Sequence, residues 1–338
     1  MKVCVYGAGS IGCYVGGRLA ATGTTEMFVG RPRIADETAE HGLRLTDLHG
    51  AELRVPPDRA RVITKALDLT GVGLVLVTVK SAATESAAAE LADVARPGTV
   101  VISLQNGLCN AAILRRALPE RIVLDGMVQF NVAHQGGGHF HAGTDGGFAV
   151  RADPALSPYL SAFERAGLPL ARHTELAPVQ WAKLLFNLNN AVNALSGLPL
   201  REELSDRRFR RCYALSLAEA LRLLRRAEIP VARLTPLPPS WLPRLLTAPD
   251  AVFTRLAASM LKIDPHARSS MLDDLDAGRT TEVDELNGEV IRLAQRIGQR
   301  APVNARLVEL VRAAETGGRR SWTSPDLLAE LRGAGTEP

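Results

Sequence analysis

Apolar positions follow two different rhythms along this chain. In the first half, short apolar runs at residues 3–6, 74–79, 99–104 and 122–124 read as buried strands, and an alanine-rich helical pattern covers residues 84–95. Strand, helix, strand in that order predicts a mostly parallel sheet with crossover helices. Residues 127–150 change to short alternating strands broken by glycines; a helix is expected at 154–166 and a last strand at 168–173. From about Glu175 onward the apolar spacing is helical, with almost no strand pattern. The predicted organisation is an α/β domain over 1–174, an all-helical domain over 175–330 and a short C-terminal tail over 331–338.

The turn after the first strand is Gly7-Ala8-Gly9-Ser10-Ile11-Gly12. A buried strand that passes through such a turn into a helix presents bare helix amides to a pyrophosphate, so this segment is a candidate dinucleotide site. Gly7 serves the tight turn, Gly9 the approach of backbone to phosphate, and Gly12 the close packing of helix on strand. The end of the second strand selects the dinucleotide. An acidic residue there would bind the ribose hydroxyls of the non-phosphorylated cofactor, but the run Met27-Phe-Val-Gly30 leads into Arg31-Pro-Arg33, and Glu26 lies at the strand's start. A guanidinium forms a forked pair with a 2′-phosphate, so Arg31 is the first candidate for that contact, Arg33 the second, and NADPH the expected cofactor.

Ligands of parallel sheets gather beyond the carboxyl ends of the strands, where Lys80 and Gln105-Asn106-Gly107 fall. In the helical half, one helix is expected from residue 179 to about 195, with Lys183, Asn187 and Asn190 on one face at i, i+4 and i+7. A polar stripe among so many leucines is explained by a bound polar ligand between the domains. Further on, Gly278 reads as a helix stop, and Thr281 with Asp284 as the opening box of the next helix, which would put Glu282 in a first turn.

The 338 residues are 46% hydrophobic and 22% charged, with a net charge of +4, a composition that suits a two-domain globular enzyme. The basic residues are spread among acidic ones. The dense run Arg207, Arg208, Arg210 and Arg211 reads as a solvated helix face, so no nucleic-acid partner is expected. No apolar stretch approaches membrane-spanning length and the N-terminus lacks a leader pattern, so a cytoplasmic protein without a membrane partner is expected. Cys4, Cys13, Cys109 and Cys212 show no paired spacing, which argues against disulfides and a zinc site. His134, His139 and His141 fit a hairpin edge better than a metal site. The proline-rich stretch 230–266 flanks an apolar helical segment at 251–261 that, if exposed, would favour a homodimer; the sequence does not choose between monomer and dimer.

Taken together, Gly7-Ala-Gly-Ser-Ile-Gly12, Thr78-Val-Lys80, Leu104-Gln-Asn-Gly107, Trp181-Ala-Lys-Leu-Leu-Phe-Asn187, Ser269-Ser-Met271 and Gly278-Arg-Thr-Thr-Glu282 resemble the ketopantoate reductase (2-dehydropantoate 2-reductase) family over nearly the whole chain. The resemblance implies an NADPH-binding Rossmann domain joined to a helical domain, and reduction of a small 2-oxo acid substrate. Carried over by position, it makes Lys183 the catalytic acid and Glu282 its acidic partner, also near the cofactor. Ser270 and Asn187 become substrate contacts, while Asn106 and Lys80 become cofactor contacts. One departure stands out. Many members have a second substrate-binding Asn four residues after the first, where this chain has Ala191; Asn190 or Asn193 is then the candidate substitute. Two alternatives stay open: another small 2-oxo or 3-hydroxy acid as substrate, and a catalytically silent NADPH-binding sensor.

Overall fold

The computed structural model describes residues 2–65, 69–144, 146–256 and 267–336, with the backbone alone at Glu26 and Thr336. The chain separates into two compact units, Met1–Leu176 and Ala177–Pro338.

The first unit contains β1 (Lys2–Tyr6), α1 (Ser10–Ala21), β2 (Thr25–Val29), α2 (Pro32–His41), β3 (Leu43–Asp47), β4 (Glu52–Val55), β5 (Val62–Ile63), β6 (Val72–Val77), α3 (Thr84–Val94), β7 (Val100–Ser103), α4 (Asn110–Ala117), β8 (Ile122–Val128), β9 (Val132–Gly136), β10 (His139–Ala142), β11 (Phe148–Arg151), α5 (Leu160–Arg165) and β12 (Leu170–His173). The main sheet runs β12-β11-β8-β7-β6-β1-β2-β5 and is parallel except where β11 meets β8. Its apolar runs are continuous because both faces are covered. Val3 and Val5 of β1 join one core with Tyr14, Val15 and Leu19 of α1, while Cys4 and Tyr6 join the other with Leu91 of α3 and Leu114 of α4. The expected helix at 154–166 is divided: Pro154–Tyr159 is a 3-10 turn containing Pro158, and α5 follows.

A second sheet, β4-β3-β10-β9, places the three histidines. β10 is not an edge, because β3 pairs with it in parallel on the side away from β9. His139 and His141 are each hydrogen-bonded to Thr46 Oγ1 at 2.8 Å. His134 meets Glu37 at 2.6 Å and stacks on Phe140.

The second unit contains α6 (Ala177–Asn187), α7 (Asn189–Ser196), α8 (Leu200–Ser205), α9 (Arg207–Arg226), α10 (Leu242–Thr247), α11 (Asp250–Leu256), α12 (Ser270–Asp276), α13 (Val283–Arg296), α14 (Pro302–Glu315) and α15 (Ser324–Thr336). Residues 331–336, expected in a tail, continue α15, because Leu327, Leu328 and Leu331 bury one side of it. The apolar segment expected at 251–261 is helical as far as Leu256 in α11; residues 257–261 lie outside the described residues.

The basic run of α9 is not uniformly solvated. Arg207 and Arg208 are exposed, but Arg210 is fully buried. Its guanidinium donates to the carbonyls of Leu204, Ser205, Leu246 and Ala248 and to Asp250 Oδ1, and it lies 4.1 Å from the Phe253 ring centroid. Four of these five hydrogen bonds satisfy carbonyls left over where α8 and α10 end, a task a planar guanidinium suits.

Candidate functional site

In the first unit the chain leaves β1 through Gly7, whose φ of +119° a side chain would resist, and the Gly9 amide donates to Gly7 O at 2.7 Å. Gly7 and Ala8 both donate to Val29 O, which ties the turn to the end of β2. α1 then opens at Ser10 without a side-chain cap and without an acidic residue in its first turn. Among the described residues the amides of Ser10, Ile11 and Gly12 donate to nothing; the first intrahelical donor is Cys13, to Gly9 O at 2.8 Å. Bare amides at a helix start attract an anion.

The glycines divide their work. A Cβ on Gly12 would lie 2.2 Å from Gly7 O and 2.6 Å from Thr78 Oγ1, so its missing side chain lets α1 sit against the turn. A Cβ on Gly9 would meet no protein atom within 4 Å. The space beside Gly9 is therefore open, as a cradle for a pyrophosphate requires. Gly30 packs so closely on Ala8 that a Cβ there would fall 2.5 Å from Ala8 Cβ. That approach brings Arg31, exposed at the start of α2, within a residue of the glycine turn. Arg33 is turned toward Glu37 at 3.8 Å.

Lys80 and Asn106 lie on two loops beyond β6 and β7, the first exposed and the second half-buried. A buried polar cluster that sequence reasoning missed joins these loops. Asn110 Nδ2 donates to Asn106 O at 2.6 Å and to Ser81 Oγ at 3.0 Å, and Ser81 Oγ donates to Asn106 O. Thr84 Oγ1 donates to Asn110 Oδ1, and Gln105 Nε2 donates to Thr84 Oγ1. Thr78, named in the sequence only as part of a motif, donates from Oγ1 to Gly7 O at 2.7 Å and so fastens the end of β6 to the glycine turn. Asn110 was recognisable as a polar residue opening a helix three positions after Gly107, but its partners were not.

In the second unit the helix expected over 179–195 is broken at Leu188 into α6 and α7. On α7 the side-chain amides of Asn189 and Asn193 donate to the buried Glu203. Lys183 and Asn187 remain one turn apart on α6, while Asn190 belongs to α7. Lys183 is half-buried; burial lowers its pKa from the usual 10.5 to about 8, against the opposing pull of the Glu282 carboxylate. That lowering is what a lysine acting near neutral pH requires.

Glu282 precedes the first helical residue instead of lying in the first turn. α13 begins at Val283, whose amide donates to Thr281 Oγ1 at 3.3 Å, and the carbonyl of Glu282 accepts from Glu285 and Leu286. The expected box is not completed: the Thr281 amide donates to Glu315 Oε1 at 2.7 Å, and Arg312 Nη2 engages Asp284 Oδ1 at 2.7 Å. Gly278, at φ +62°, does stop α12: its amide donates to Leu275 O and that of Arg279 to Asp274 O.

Ser270 is exposed at the start of α12 and Asn187 and Asn190 are half-buried; none of these three side chains makes a hydrogen bond among the described residues. Half-buried amides without partners are positions at which a polar ligand is accommodated at little cost. Asn193, the other candidate substitute for the absent second Asn, is already fully engaged. Its Nδ2 donates to Leu198 O and Glu203 Oε2, and its Oδ1 accepts from the Ser269 amide. Ala191 itself is fully buried.

Both halves of the chain match family profiles: residues 3–152 match ketopantoate reductase PanE/ApbA, and residues 175–315 match ketopantoate reductase PanE/ApbA C terminal. The 2-dehydropantoate 2-reductase of Halobacterium salinarum is 29% identical over 94% of this chain and 100% of its own. A PanE/ApbA family ketopantoate reductase from Ralstonia eutropha JMP134 superposes with a TM-score of 0.78 at 28% identity, covering 94% of this chain and 99% of its own. D-mandelate dehydrogenase bound to NADH and anilino(oxo)acetate shares the fold at a TM-score of 0.75 and 19% identity, over 94% and 99% of the two chains. With both profiles matched in order, the chain belongs to the ketopantoate reductase PanE/ApbA family of nicotinamide-dinucleotide-dependent oxidoreductases that act on a ketone.

Proposed function

We propose that this protein reduces 2-dehydropantoate to pantoate with NADPH, a step of pantothenate and coenzyme A biosynthesis. The observation that carries the reading is the half-buried Lys183, its pKa lowered to about 8 beside Glu282, on the same helix as an unpartnered Asn187. The free amides of Ser10, Ile11 and Gly12, with Ala8 and the open space at Gly9, fit the pyrophosphate of a dinucleotide. Arg31 supplies the charge for a 2′-phosphate, and Lys80 and Asn106 hold the nicotinamide end.

When bound, the reduced nicotinamide supplies a hydride to the carbonyl carbon of the substrate. Negative charge then grows on the carbonyl oxygen. The Lys183 ammonium meets that charge, donates a proton to the oxygen and leaves the product as an alcohol, with the amine reprotonated from solvent. Glu282 keeps the amine charged and oriented and contacts the cofactor. Ser270 binds the substrate carboxylate, and Asn187 and Asn190 fix its other polar groups so that the carbonyl is presented in one orientation.

The test is oxidation of NADPH by the purified protein with 2-dehydropantoate. Absence of turnover at millimolar substrate removes that substrate. A second reading, another small 2-oxo acid, is favoured by Ala191 at the place of the family's second Asn, and a panel of 2-oxo acids varying in branching and chain length separates the two.

A further inference from the structure

Glu203 is a fully buried carboxylic acid on α8, a helix outside the polar face formed by Lys183, Asn187 and Asn190. Its Oε2 accepts from Asn189 Nδ2 at 3.1 Å and Asn193 Nδ2 at 3.0 Å. Its Oε1 has no partner, and neither does the buried Oδ1 of Asn189. No Lys, Arg or His pairs with Glu203 among the described residues. Two buried acceptors without donors, on residues already joined by a hydrogen bond, are costly as they stand. A proton on the carboxyl group removes the buried charge and turns Oε1 from an unpaired acceptor into a donor. Burial raises the pKa of this group to about 8, so at neutral pH it is held mainly in the protonated form.

The network does not end at Glu203. Asn193 Oδ1 accepts from the amide of Ser269 at 3.0 Å. Ser269 Oγ in turn accepts from the Leu272 amide at 3.2 Å, which caps α12, and lies 3.5 Å from Asn190 O. Every link from α8 to the residue before Ser270 is thus a buried hydrogen bond.

We propose that Glu203 is a positioning residue: through Asn193 and Ser269 it sets the spacing between Ser270 on α12 and Asn190 on α7, and thereby the fit of the 2-oxo acid. The proposal rests on the reading of Ser270 and Asn190 as substrate contacts. It assigns the discrimination between substrates partly to a side chain that touches none of them. A supporting shell of this kind holds contact groups to within about half an ångström, and a misplacement of about 1 Å can cost roughly 100-fold.

The experiment compares the full-length wild type with Glu203→Gln, Glu203→Leu, Asn193→Ala and the Glu203→Leu/Asn193→Ala double variant. Glu203→Gln offers both an acceptor and a donor, so its KM is expected to stay within about twofold of wild type. Glu203→Leu is expected to raise KM for the 2-oxo acid by about tenfold or more, with the NADPH dissociation constant unchanged. Asn193→Ala should do the same, and the double variant should be no worse than the more damaged single, since all three interrupt one chain of bonds. An unchanged KM in a folded Glu203→Leu protein, equal damage in Gln and Leu, or a parallel loss of cofactor affinity overturns the proposal. Failure of wild-type turnover with any 2-oxo acid would instead count against the functional reading. In that event crystal structures decide: an unchanged distance between Ser270 and Asn190 in Glu203→Leu overturns the inference, and an altered one sustains it.

Discussion

Gly9→Ala and Gly12→Ala, two methyl groups on one turn, should damage different properties. At Gly12 the new Cβ falls 2.2 Å from a backbone oxygen and 2.6 Å from Thr78 Oγ1, and neither neighbour can retreat without opening the turn. Overpacking of this kind costs about 1–3 kcal/mol. For a unit of this size each kcal/mol lowers the melting temperature by about 2–4 °C, so a loss of roughly 2–12 °C is expected. At Gly9 the Cβ meets no protein atom within 4 Å, and the backbone at φ −102° and ψ −164° is open to alanine. Stability should hold or rise slightly, because alanine restricts the unfolded chain by about 0.4–1 kcal/mol. The methyl projects where a pyrophosphate would approach the amides of Ser10, Ile11 and Gly12. Loss of one hydrogen bond to a charged group costs about 1.5–3 kcal/mol, which corresponds to a roughly 10- to 100-fold weaker NADPH dissociation constant. Differential scanning fluorimetry of the free protein and fluorescence titration with NADPH read the two effects separately. An unchanged dissociation constant in Gly9→Ala would refute the phosphate role of the turn; a melting temperature lowered as far as in Gly12→Ala would refute the packing argument.

Arg31→Ala should weaken NADPH by about tenfold or more, as expected for loss of a charge-assisted pair, while changing NADH little; equal weakening of both cofactors in titrations would remove the 2′-phosphate role. The pH profile of kcat/KM should report Lys183. As an acid it must be protonated, its pKa is lowered to about 8, and activity should therefore be level below that value and fall tenfold per pH unit above it. A profile that stays level to pH 10 would exclude Lys183 as the proton donor.

Much of the fold could be read from periodicity, because burial imposes it. The strands of the main sheet are apolar on consecutive positions, since Val3 and Val5 enter one core and Cys4 and Tyr6 the other, and the switch to helical spacing near Glu175 falls close to the start of α6. Elements that depend on distant partners were not legible. Nothing local reveals that β3, some ninety residues earlier in the chain, pairs with β10 and removes it from the edge. Nothing local distinguishes Arg210 from Arg207 and Arg211 either: the spacing of a basic run says which helix face a residue occupies, but the carbonyls that draw Arg210 inward come from residues 204–205 and 246–248.

The candidate site divides along the same line. Residues that meet a ligand carry chemistry a ligand requires, so glycines before a helix, a lysine on an apolar helix and an arginine after a strand stand out from their neighbours. Residues that hold those groups in place do not, because a buried amide is defined by its partners. Asn187, Asn189, Asn190 and Asn193 look alike in the sequence, yet Asn187 and Asn190 keep their side chains unpartnered while Asn189 and Asn193 are tied to Glu203. Helical spacing sorts them: Leu188, between α6 and α7, keeps helical dihedrals (φ −58°, ψ −25°), so Asn187 and Asn190 fall on one side while Asn189 and Asn193, four residues apart, fall on the side that meets Glu203. With Glu203 and Asn193 in the positioning role proposed above, exchanging Ala191 for Asn without altering them should leave the preference among 2-oxo acids largely as it is, and kcat/KM values over a panel of 2-oxo acids check this: a switched preference would count against that role.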